Sequence, residues 1–152
     1  MNISTNGINL IKAFESLSLK VYYDGGGVKT VGYGNTSHAK TMKIGELITQ
    51  EQATSYLEED LKDTEDSVNH FLITFGSLKQ NEYDALISAV FNIGPTFLTT
   101  YNGPATFCRY VSDNGIIQNG LLKRRALEGY IFQVGFTPKA LAWILNQKQG
   151  GT

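Results

Sequence analysis

The sequence has a single cysteine, Cys108, which excludes an internal disulfide framework and a zinc site built from cysteines alone. It has no run approaching the roughly 18–20 apolar residues of a membrane-spanning helix, so stable membrane insertion is not expected. It also has little net charge, with 13 basic and 14 acidic residues, or −1 in total. Nucleic-acid binding depends on many lysine and arginine contacts to phosphate, so no nucleic-acid partner is expected.

The composition that remains is that of a soluble globular protein, with 41% hydrophobic and 18% charged residues. A chain of 152 residues can bury a hydrophobic core as one domain, and neither an internal repeat nor a long linker divides it. We predict a single domain over residues 1–152. It comprises an N-terminal helix over 4–18, a β lobe over about 19–48 and a helical lobe over about 49–152.

The first helix has clear start signals. Ser4 is a suitable N-cap, and Ile8, Ile11 and Glu15 follow on one helical face. Glu15 therefore points in the direction of the apolar side chains and lies in the last turn. Burial and the negative end of the helix dipole both disfavour an ionised carboxylate, so we expect a raised pKa for Glu15. A general acid needs this property.

The β lobe is predicted as a hairpin. Val21–Tyr23 favours a strand, a glycine turn begins at Asp24, and Val28–Tyr33 reads as the second strand. Folding back over the turn brings Thr30 towards residues 22–24. We expect Asp24 to be ionised, because an open turn leaves its carboxylate in contact with water.

Glu15, Asp24 and Thr30 together suggest a reaction. Two carboxylates in contrasting environments, with a polar group to hold a water molecule, are the minimum equipment for hydrolysing a glycosidic bond. Such chemistry needs no metal and no cofactor, and neither is expected. The acidic run 58–60 is interpreted as a solvated helix face, not as a metal site.

The helical lobe shows two predicted helix starts. Thr49 with Gln52, and Ser77 with Gln80, each have the spacing of a capping box. Each is followed by apolar residues at helical spacing, which predicts two core helices.

The chain resembles the phage-type lysozymes, the endolysins of the T-even phage muramidase family, in three segments. Their catalytic segment has a glutamate, an aspartate nine residues on, a threonine six further and a Gly-(Tyr or Ile)-Gly element, and is similar to FESLSLKVYYDGGGVKTVGYGNT. Their central helix is similar to SLKQNEYDALISAVFNIGPTF, and the Gly-Leu-x-x-Arg-Arg segment of their last major helix is similar to NGLLKRRALEGYIF. The resemblance implies an α+β, lysozyme-like fold in which a cleft separates a small β-hairpin lobe from a larger helical lobe.

The resemblance also implies an activity, hydrolysis of the β-1,4 bond between N-acetylmuramic acid and N-acetylglucosamine in peptidoglycan. Glu15 would be the general acid, Asp24 the carboxylate that activates water and faces the oxocarbenium charge, and Thr30 the residue that holds the water. The family's inverting outcome requires carboxyl groups about 6.5–9.5 Å apart.

Other residues have candidate roles around these three. Tyr22, Tyr33 and Asn35 are candidates for substrate binding, with strand packing as the alternative for the tyrosines. Arg124 and Arg125 are interpreted as structural support that forms salt bridges near the active-site helix. The alternative is that they bind peptide carboxylates of the wall.

Three features depart from the family pattern. Asn35 stands where the family commonly has histidine, which predicts the loss of a charged contact to a carboxylate; His38 is a possible substitute or an ordinary surface residue. The stretch between Phe107 and Gly120 is shorter than in the family and lacks its tryptophan-bearing helix. Trp143, the one tryptophan, has no family counterpart, and its default interpretation is core packing.

The predicted partner is bacterial peptidoglycan, and the predicted state is a monomer. The N-terminal residues lack the features of a signal peptide. We therefore expect synthesis in the bacterial host cytoplasm and action on the wall after release, by a holin or by delivery. A phage endolysin is favoured; a tail lysozyme or a toxin domain would use the same chemistry. The alternative from another class is a non-catalytic wall-binding or regulatory module derived from a lysozyme.

Overall fold

The computed structural model describes residues 1–147, and residues 148–152, the end of the predicted helical lobe, lie outside the described residues. Within that range the chain forms, in order, α1 (Thr5–Phe14), β1 (Ser18–Tyr23), β2 (Lys29–Gly32), a 3₁₀ helix (Ala39–Thr41), α2 (Gln50–Phe75), α3 (Gln80–Ile93), α4 (Thr96–Thr100), a second 3₁₀ helix (Pro104–Arg109), β3 (Ser112–Asp113), β4 (Ile116–Ile117), α5 (Asn119–Val134) and α6 (Pro138–Gln147). The prediction of an α+β fold with a small hairpin lobe and a larger helical lobe is confirmed.

Helix α1 begins as predicted but ends earlier. The Ser4 hydroxyl accepts a hydrogen bond from the backbone amide of Gly7, which makes Ser4 the N-cap. The helix stops at Phe14, short of the predicted residue 18, and Glu15 has an extended backbone with φ −90° and ψ 134°. The chain leaves the helix here because Ser18 already pairs with Gly32 in the β lobe.

The β lobe is an antiparallel hairpin whose register pairs Tyr22 with Thr30. Gly32 has a positive φ of 64°, and a Cβ atom at this position would lie 3.3 Å from the Cβ of Ala53 in α2. A glycine is therefore required for both the turn of the chain and the close approach of β2 to α2.

The two predicted capping boxes have different outcomes. Thr49 and Gln52 form a capping box at the start of α2, as predicted. The prediction for Ser77 and Gln80 is wrong, because α3 begins at Gln80 itself. There the Glu82 carboxylate accepts the backbone N–H of Lys79 at 2.7 Å and caps the helix.

The main core lies in the helical lobe around α3. Its residues 83–90 are all buried, and the helix packs against α1, α2 and α5. An aromatic cluster extends this core towards α4 and the second 3₁₀ helix; its members are Phe97, Tyr101, Phe107 and Phe132. Helix α1 thus packs against the core of the helical lobe.

The shortened stretch contains a small second hairpin. Asn114 and Gly115 have φ values of 49° and 78°, the signature of a type I′ turn, and connect β3 to β4. Cys108 just before it is exposed. Among the described helices, none combines the length and the apolar character needed to cross a membrane.

Candidate active site

Glu15 lies where α1 ends, and its carboxylate contacts an arginine distant in sequence. Arg124 Nη1 donates to Glu15 Oε1 at 2.6 Å, and the Glu15 side chain keeps 25% of its surface exposed. Glu15 therefore reaches solvent while an ion pair holds it in place. The role of Glu15 as general acid stays a prediction.

Arg124 is itself firmly held. Its Nε donates to Glu128 Oε1 at 3.1 Å, its Nη2 donates to the Ser88 carbonyl at 3.2 Å, and its guanidinium lies 5.5 Å from the ring centre of Phe14. A buried side chain with partners on each side has little rotational freedom. The position of the Glu15 carboxylate is therefore set by α3 and α5 as well as by α1.

Behind Arg124 lies a second buried pair. Glu128 is completely buried and accepts hydrogen bonds from the Ser88 hydroxyl at 2.6 Å and from Arg125 Nη2 at 2.8 Å. Arg125 Nε is 2.7 Å from Glu128 Oε2, although the pair is not aligned as a hydrogen bond. Burial raises the pKa of Glu128 and lowers that of Arg125, and the attraction between the two opposes both shifts.

The charges of this network balance. Two guanidinium groups, from Arg124 and Arg125, face two carboxylates, from Glu15 and Glu128. Both arginines are buried, so neither is presented to a wall peptide, and the geometry favours the supporting role over the binding role. Glu128 and Ser88 were not predicted from the sequence, although the spacing of Arg124 and Glu128, four apart on one helix, is typical of an ion pair.

Asp24 is fixed by the turn that follows it. Its Oδ1 accepts the backbone amides of Gly26 at 2.9 Å and Val28 at 2.8 Å. Within residues 1–147, no protein hydrogen bond engages the other oxygen, Oδ2. The carboxylate is thus oriented by the backbone and keeps one oxygen available for water.

Thr30 is linked to Asp24 through one residue. The Thr30 hydroxyl donates to the Val28 carbonyl at 3.1 Å, and the amide of the same Val28 donates to Asp24. Thr30 pairs with Tyr22 across the hairpin and is buried. The hydroxyl and the carboxylate therefore belong to one hydrogen-bonded turn.

The three residues proposed to bind substrate differ in exposure. Tyr22 is 40% exposed and is available to a ligand. Tyr33 is buried, lies 5.3 Å from Lys12 Nζ and interacts with Gln50, while burial raises the pKa of its hydroxyl. Strand packing is therefore the better interpretation of Tyr33, which corrects its assignment to direct substrate contact.

Asn35 also requires a correction, because it is only 2% exposed and supports the β lobe instead of binding substrate. Its Nδ2 lies 3.0 Å from each carboxylate oxygen of Asp60 and donates to Ser37. A neutral amide therefore contacts a carboxylate at the position where a charged contact was predicted to be lost. Burial raises the pKa of Asp60, opposed by the hydrogen bond from Asn35 and the charge of His38.

His38 is partly exposed on the outer surface of the same region. Its ring stacks on Tyr56 with centroids 3.8 Å apart, and its Nε2 lies 3.3 Å from Glu59 Oε2. The interpretation of 58–60 as a solvated face holds for Glu58 and Glu59, which are exposed, but Asp60 is partly buried. Among residues 1–147, no group of three or more histidine, cysteine, aspartate or glutamate side chains could hold a metal ion.

A cleft of about 760 Å³ opens beside Glu15. It is lined by the ends of α1 and α3, by the β3–β4 hairpin and by α5, and its polar side chains include Asn92, Ser112, Asp113 and Gln118. None of these four residues was predicted from the sequence. Asn92 lies in the Phe-Asn-Ile-Gly element that carried part of the family resemblance.

Comparison with known proteins agrees with this geometry. The family model described as phage lysozyme matches residues 12–128. The endolysin of Acyrthosiphon pisum secondary endosymbiont phage 1 is 38% identical over 149 residues, covering 88% of this chain and 99% of that protein. The endolysin of Bacillus phage PZA is 37% identical over 153 residues, covering 91% of this chain but 57% of that protein.

A solved structure gives the same answer for the fold. The endolysin from Escherichia coli O157:H7 phage FAHEc1 superposes with a TM-score of 0.77 at 33% sequence identity, covering 91% of this chain and 97% of that one. The resemblance found in the sequence is thereby confirmed. The chain belongs to the phage lysozyme family.

Proposed function

We propose that this lysozyme cleaves the β-1,4 bond between N-acetylmuramic acid and N-acetylglucosamine in peptidoglycan, with inversion, as a phage endolysin. The observation that carries the proposal is the carboxyl group of Glu15, whose side chain is 25% exposed beside a cleft and accepts a hydrogen bond from the buried Arg124. A carboxyl group in this position can reach a glycosidic oxygen while its orientation stays fixed.

In the proposed reaction Glu15 donates its proton to the leaving oxygen. The carboxylate formed then lies against the Arg124 guanidinium, which stabilises the negative charge as it develops. The sugar that loses its substituent acquires oxocarbenium character, and Asp24 is the carboxylate assigned to face that charge.

Asp24 also activates the attacking water. The oxygen Oδ2, which the turn leaves available, accepts a proton from the water, and the Thr30 hydroxyl helps to orient it. The balanced result is addition of one water across the glycosidic bond, with the hydroxyl on the muramic acid carbon and the proton on the leaving oxygen.

The test is digestion of purified peptidoglycan. We expect new reducing ends, with muramic acid at the newly reducing position, and an initial product of inverted anomeric configuration by NMR. Glu15→Gln should abolish the release of reducing ends while its circular dichroism spectrum remains that of the folded protein. A wild-type protein that binds the wall but releases no reducing ends would overturn the enzyme assignment in favour of a wall-binding module.

The setting is part of the same proposal. We assign action as a monomer on the host wall after release from the cytoplasm by a holin. Analytical ultracentrifugation tests the first assignment. Lysis of an expressing bacterium only when a holin is co-expressed tests the second.

A further inference from the structure

The β3–β4 hairpin forms one wall of the cleft beside Glu15, and its backbone is anchored. Asp113 lines the cleft and pairs with Ile116 across the hairpin. Before β3 begins, the Tyr110 hydroxyl lies 2.6 Å from Thr100 Oγ1, which ties the hairpin to the end of α4. The place of Asp113 in the cleft is therefore set by strand pairing and by this anchor.

A second wall of the cleft is formed by the end of α1. Phe14 lines the cleft, and its ring centre lies 5.4 Å from that of Trp143 and 5.5 Å from the Arg124 guanidinium. Trp143 is 36% exposed, so the expectation of core packing for this residue is only partly met. Because both walls are anchored, a sugar bound beside Glu15 meets side chains in set positions.

The charges that line this cleft are not all paired. Three of its lining residues are charged, namely Glu15, Asp113 and Arg124. Arg124 forms salt bridges with Glu15 and with the buried Glu128. Asp113 is exposed, and among residues 1–147 it takes part in no salt bridge. The hairpin wall therefore presents a carboxylate with which a positively charged group of the ligand can pair.

The proposed reaction decides which sugar faces this wall. Glu15 protonates the leaving oxygen, and when the bond between N-acetylmuramic acid and N-acetylglucosamine breaks, that oxygen stays on the glucosamine unit. The cleft that extends from Glu15 to Asp113 therefore lies on the glucosamine side. The N-acetyl group of this sugar is neutral, whereas the amine left after its removal is an ammonium. A charged donor forms the stronger hydrogen bond with a carboxylate.

We propose that Asp113 is a specificity-determining residue, through which the cleft favours peptidoglycan whose glucosamine units have lost their acetyl groups. The inference rests on the proposed function for the polymer and for the sugar on this side. The Asp113 carboxylate accepts a hydrogen bond from the sugar ammonium and neutralises its charge. An asparagine at this position can accept the hydrogen bond but does not neutralise the charge.

The test uses one polymer in two states. Peptide-free glycan strands are treated with a peptidoglycan deacetylase, and half of the product is then N-acetylated again with acetic anhydride, so that the two samples differ in the glucosamine amine alone. Release of reducing ends gives kcat/KM for each sample, and the ratio of the two values cancels any loss of activity common to both. Asp113→Asn is compared with Asp63→Asn, which removes the same charge from an exposed position on α2.

We expect the wild type to cleave the de-N-acetylated strands about fivefold more efficiently than the acetylated ones, which is the size of effect of a partly exposed ion pair. Asp113→Asn should reduce this ratio to below about twofold, whereas Asp63→Asn should preserve it and Asp113→Glu, which keeps the charge, should retain most of it. Added salt should lower the ratio in the wild type but not in Asp113→Asn, because salt screens exposed charges. A ratio that Asp113→Asn leaves unchanged would overturn the proposal, as would a wild type that prefers the acetylated strands.

Peptide amines are the other source of ammonium groups in a wall. Strands that retain their stem peptides and are fully acetylated on glucosamine supply these amines without the sugar amine. If Asp113→Asn lowers kcat/KM on these strands and leaves the ratio for the peptide-free pair unchanged, Asp113 faces a peptide and the proposal is overturned.

Binding separates this proposal from the proposed function. The protein with Glu15→Gln is titrated with both peptide-free samples by isothermal titration calorimetry, with and without Asp113→Asn. If the wild type releases no reducing ends while the affinity for de-N-acetylated strands still depends on Asp113, the specificity stands and the enzyme assignment falls. If reducing ends appear with the same ratio in the wild type and in Asp113→Asn, the enzyme assignment stands and the role of Asp113 falls.

Discussion

The two halves of the candidate site are held in opposite ways. Glu15 is oriented by Arg124, a residue 109 positions away in the chain, through a buried network that also involves Ser88 and Glu128. Asp24 is oriented by amides two and four residues away, in an exposed turn. One half depends on the tertiary fold, and the other depends on a local loop.

This difference has a consequence for mutations. Changes in the buried network should affect stability and activity together, because two guanidinium groups and two carboxylates neutralise one another there. Changes in the hairpin turn should affect activity alone, because an exposed turn contributes little to the core. The predictions that follow test this separation, beginning with the largest expected effect.

The largest effect is expected from Asp24→Asn, which should lower the rate of wall hydrolysis by about 10²–10⁴-fold. The amide oxygen of asparagine can still accept the bonds from Gly26 and Val28, so the turn keeps its shape. The midpoint of thermal unfolding should shift by less than about 2 °C. Release of reducing ends and a thermal melt measure the two quantities.

Asp63→Asn, at an exposed position on α2, is the matched control and should leave the rate unchanged. An Asp24→Asn protein that retains most of its activity would remove Asp24 from the chemistry. One that unfolds would contradict the local character of this half.

Next comes Glu128→Gln, which should lower the free energy of unfolding by about 3–5 kcal/mol, since it leaves buried guanidinium charge without its partner. Activity should fall as well, because a neutral amide holds the Arg124 guanidinium beside Glu15 less firmly than the carboxylate of Glu128 does. Urea denaturation measures the loss of stability, and the exposed Glu58→Gln serves as control. Unchanged stability would mean that the network is not a stabilising unit.

The same contrast explains what sequence could predict. The hairpin, its turn and Asp24 follow from local signals, namely strand-forming residues around a run of glycines. The capping box of α2 was equally local and was predicted correctly. The capping box predicted from Ser77 and Gln80 is not formed, although the spacing of the two residues is suitable. The helix begins later, where the Glu82 carboxylate accepts the backbone N–H of Lys79.

What sequence could not supply is long-range. Asn35 contacts Asp60, and Glu128 contacts Arg124 and Arg125. Only the packing of the helices decides which of these side chains become buried together. The exposure of Tyr33 and Trp143 is of the same kind, since aromatic residues occur both in cores and at binding surfaces. The family resemblance identified the arginines but not the charge balance that they complete.

A smaller effect is expected from Thr30→Val. The branched side chain suits the strand, and the Val28 carbonyl loses the Thr30 hydroxyl but keeps the backbone N–H of Asp24 as donor, so the loss of stability should stay below about 1 kcal/mol. We expect hydrolysis to slow about tenfold or more if Thr30 orients the water, and Thr30→Ser should restore most of the rate because it keeps the hydroxyl. Equal rates in wild type and Thr30→Val would remove the hydroxyl from the mechanism and leave it a role in the turn.

The smallest effect concerns Asp60, which belongs to the β lobe's contact with α2 rather than to either half of the site. Burial raises its pKa above the ordinary value of 3.8, so the folded protein holds this proton more tightly than the unfolded chain does. The ionised carboxylate therefore opposes folding above the folded pKa. This penalty disappears as the pH falls through that pKa towards 3.8.

The free energy of unfolding of the wild type, minus that of Asp60→Asn, should rise as the pH is lowered from 7 to 4. The change should stay below about 1 kcal/mol, because the group is only partly buried and solvent screens its charge. Urea denaturation at a series of pH values measures it, with Glu58→Gln as control. A difference that falls with decreasing pH would mean that Asn35 and His38 stabilise the ionised form more than burial opposes it.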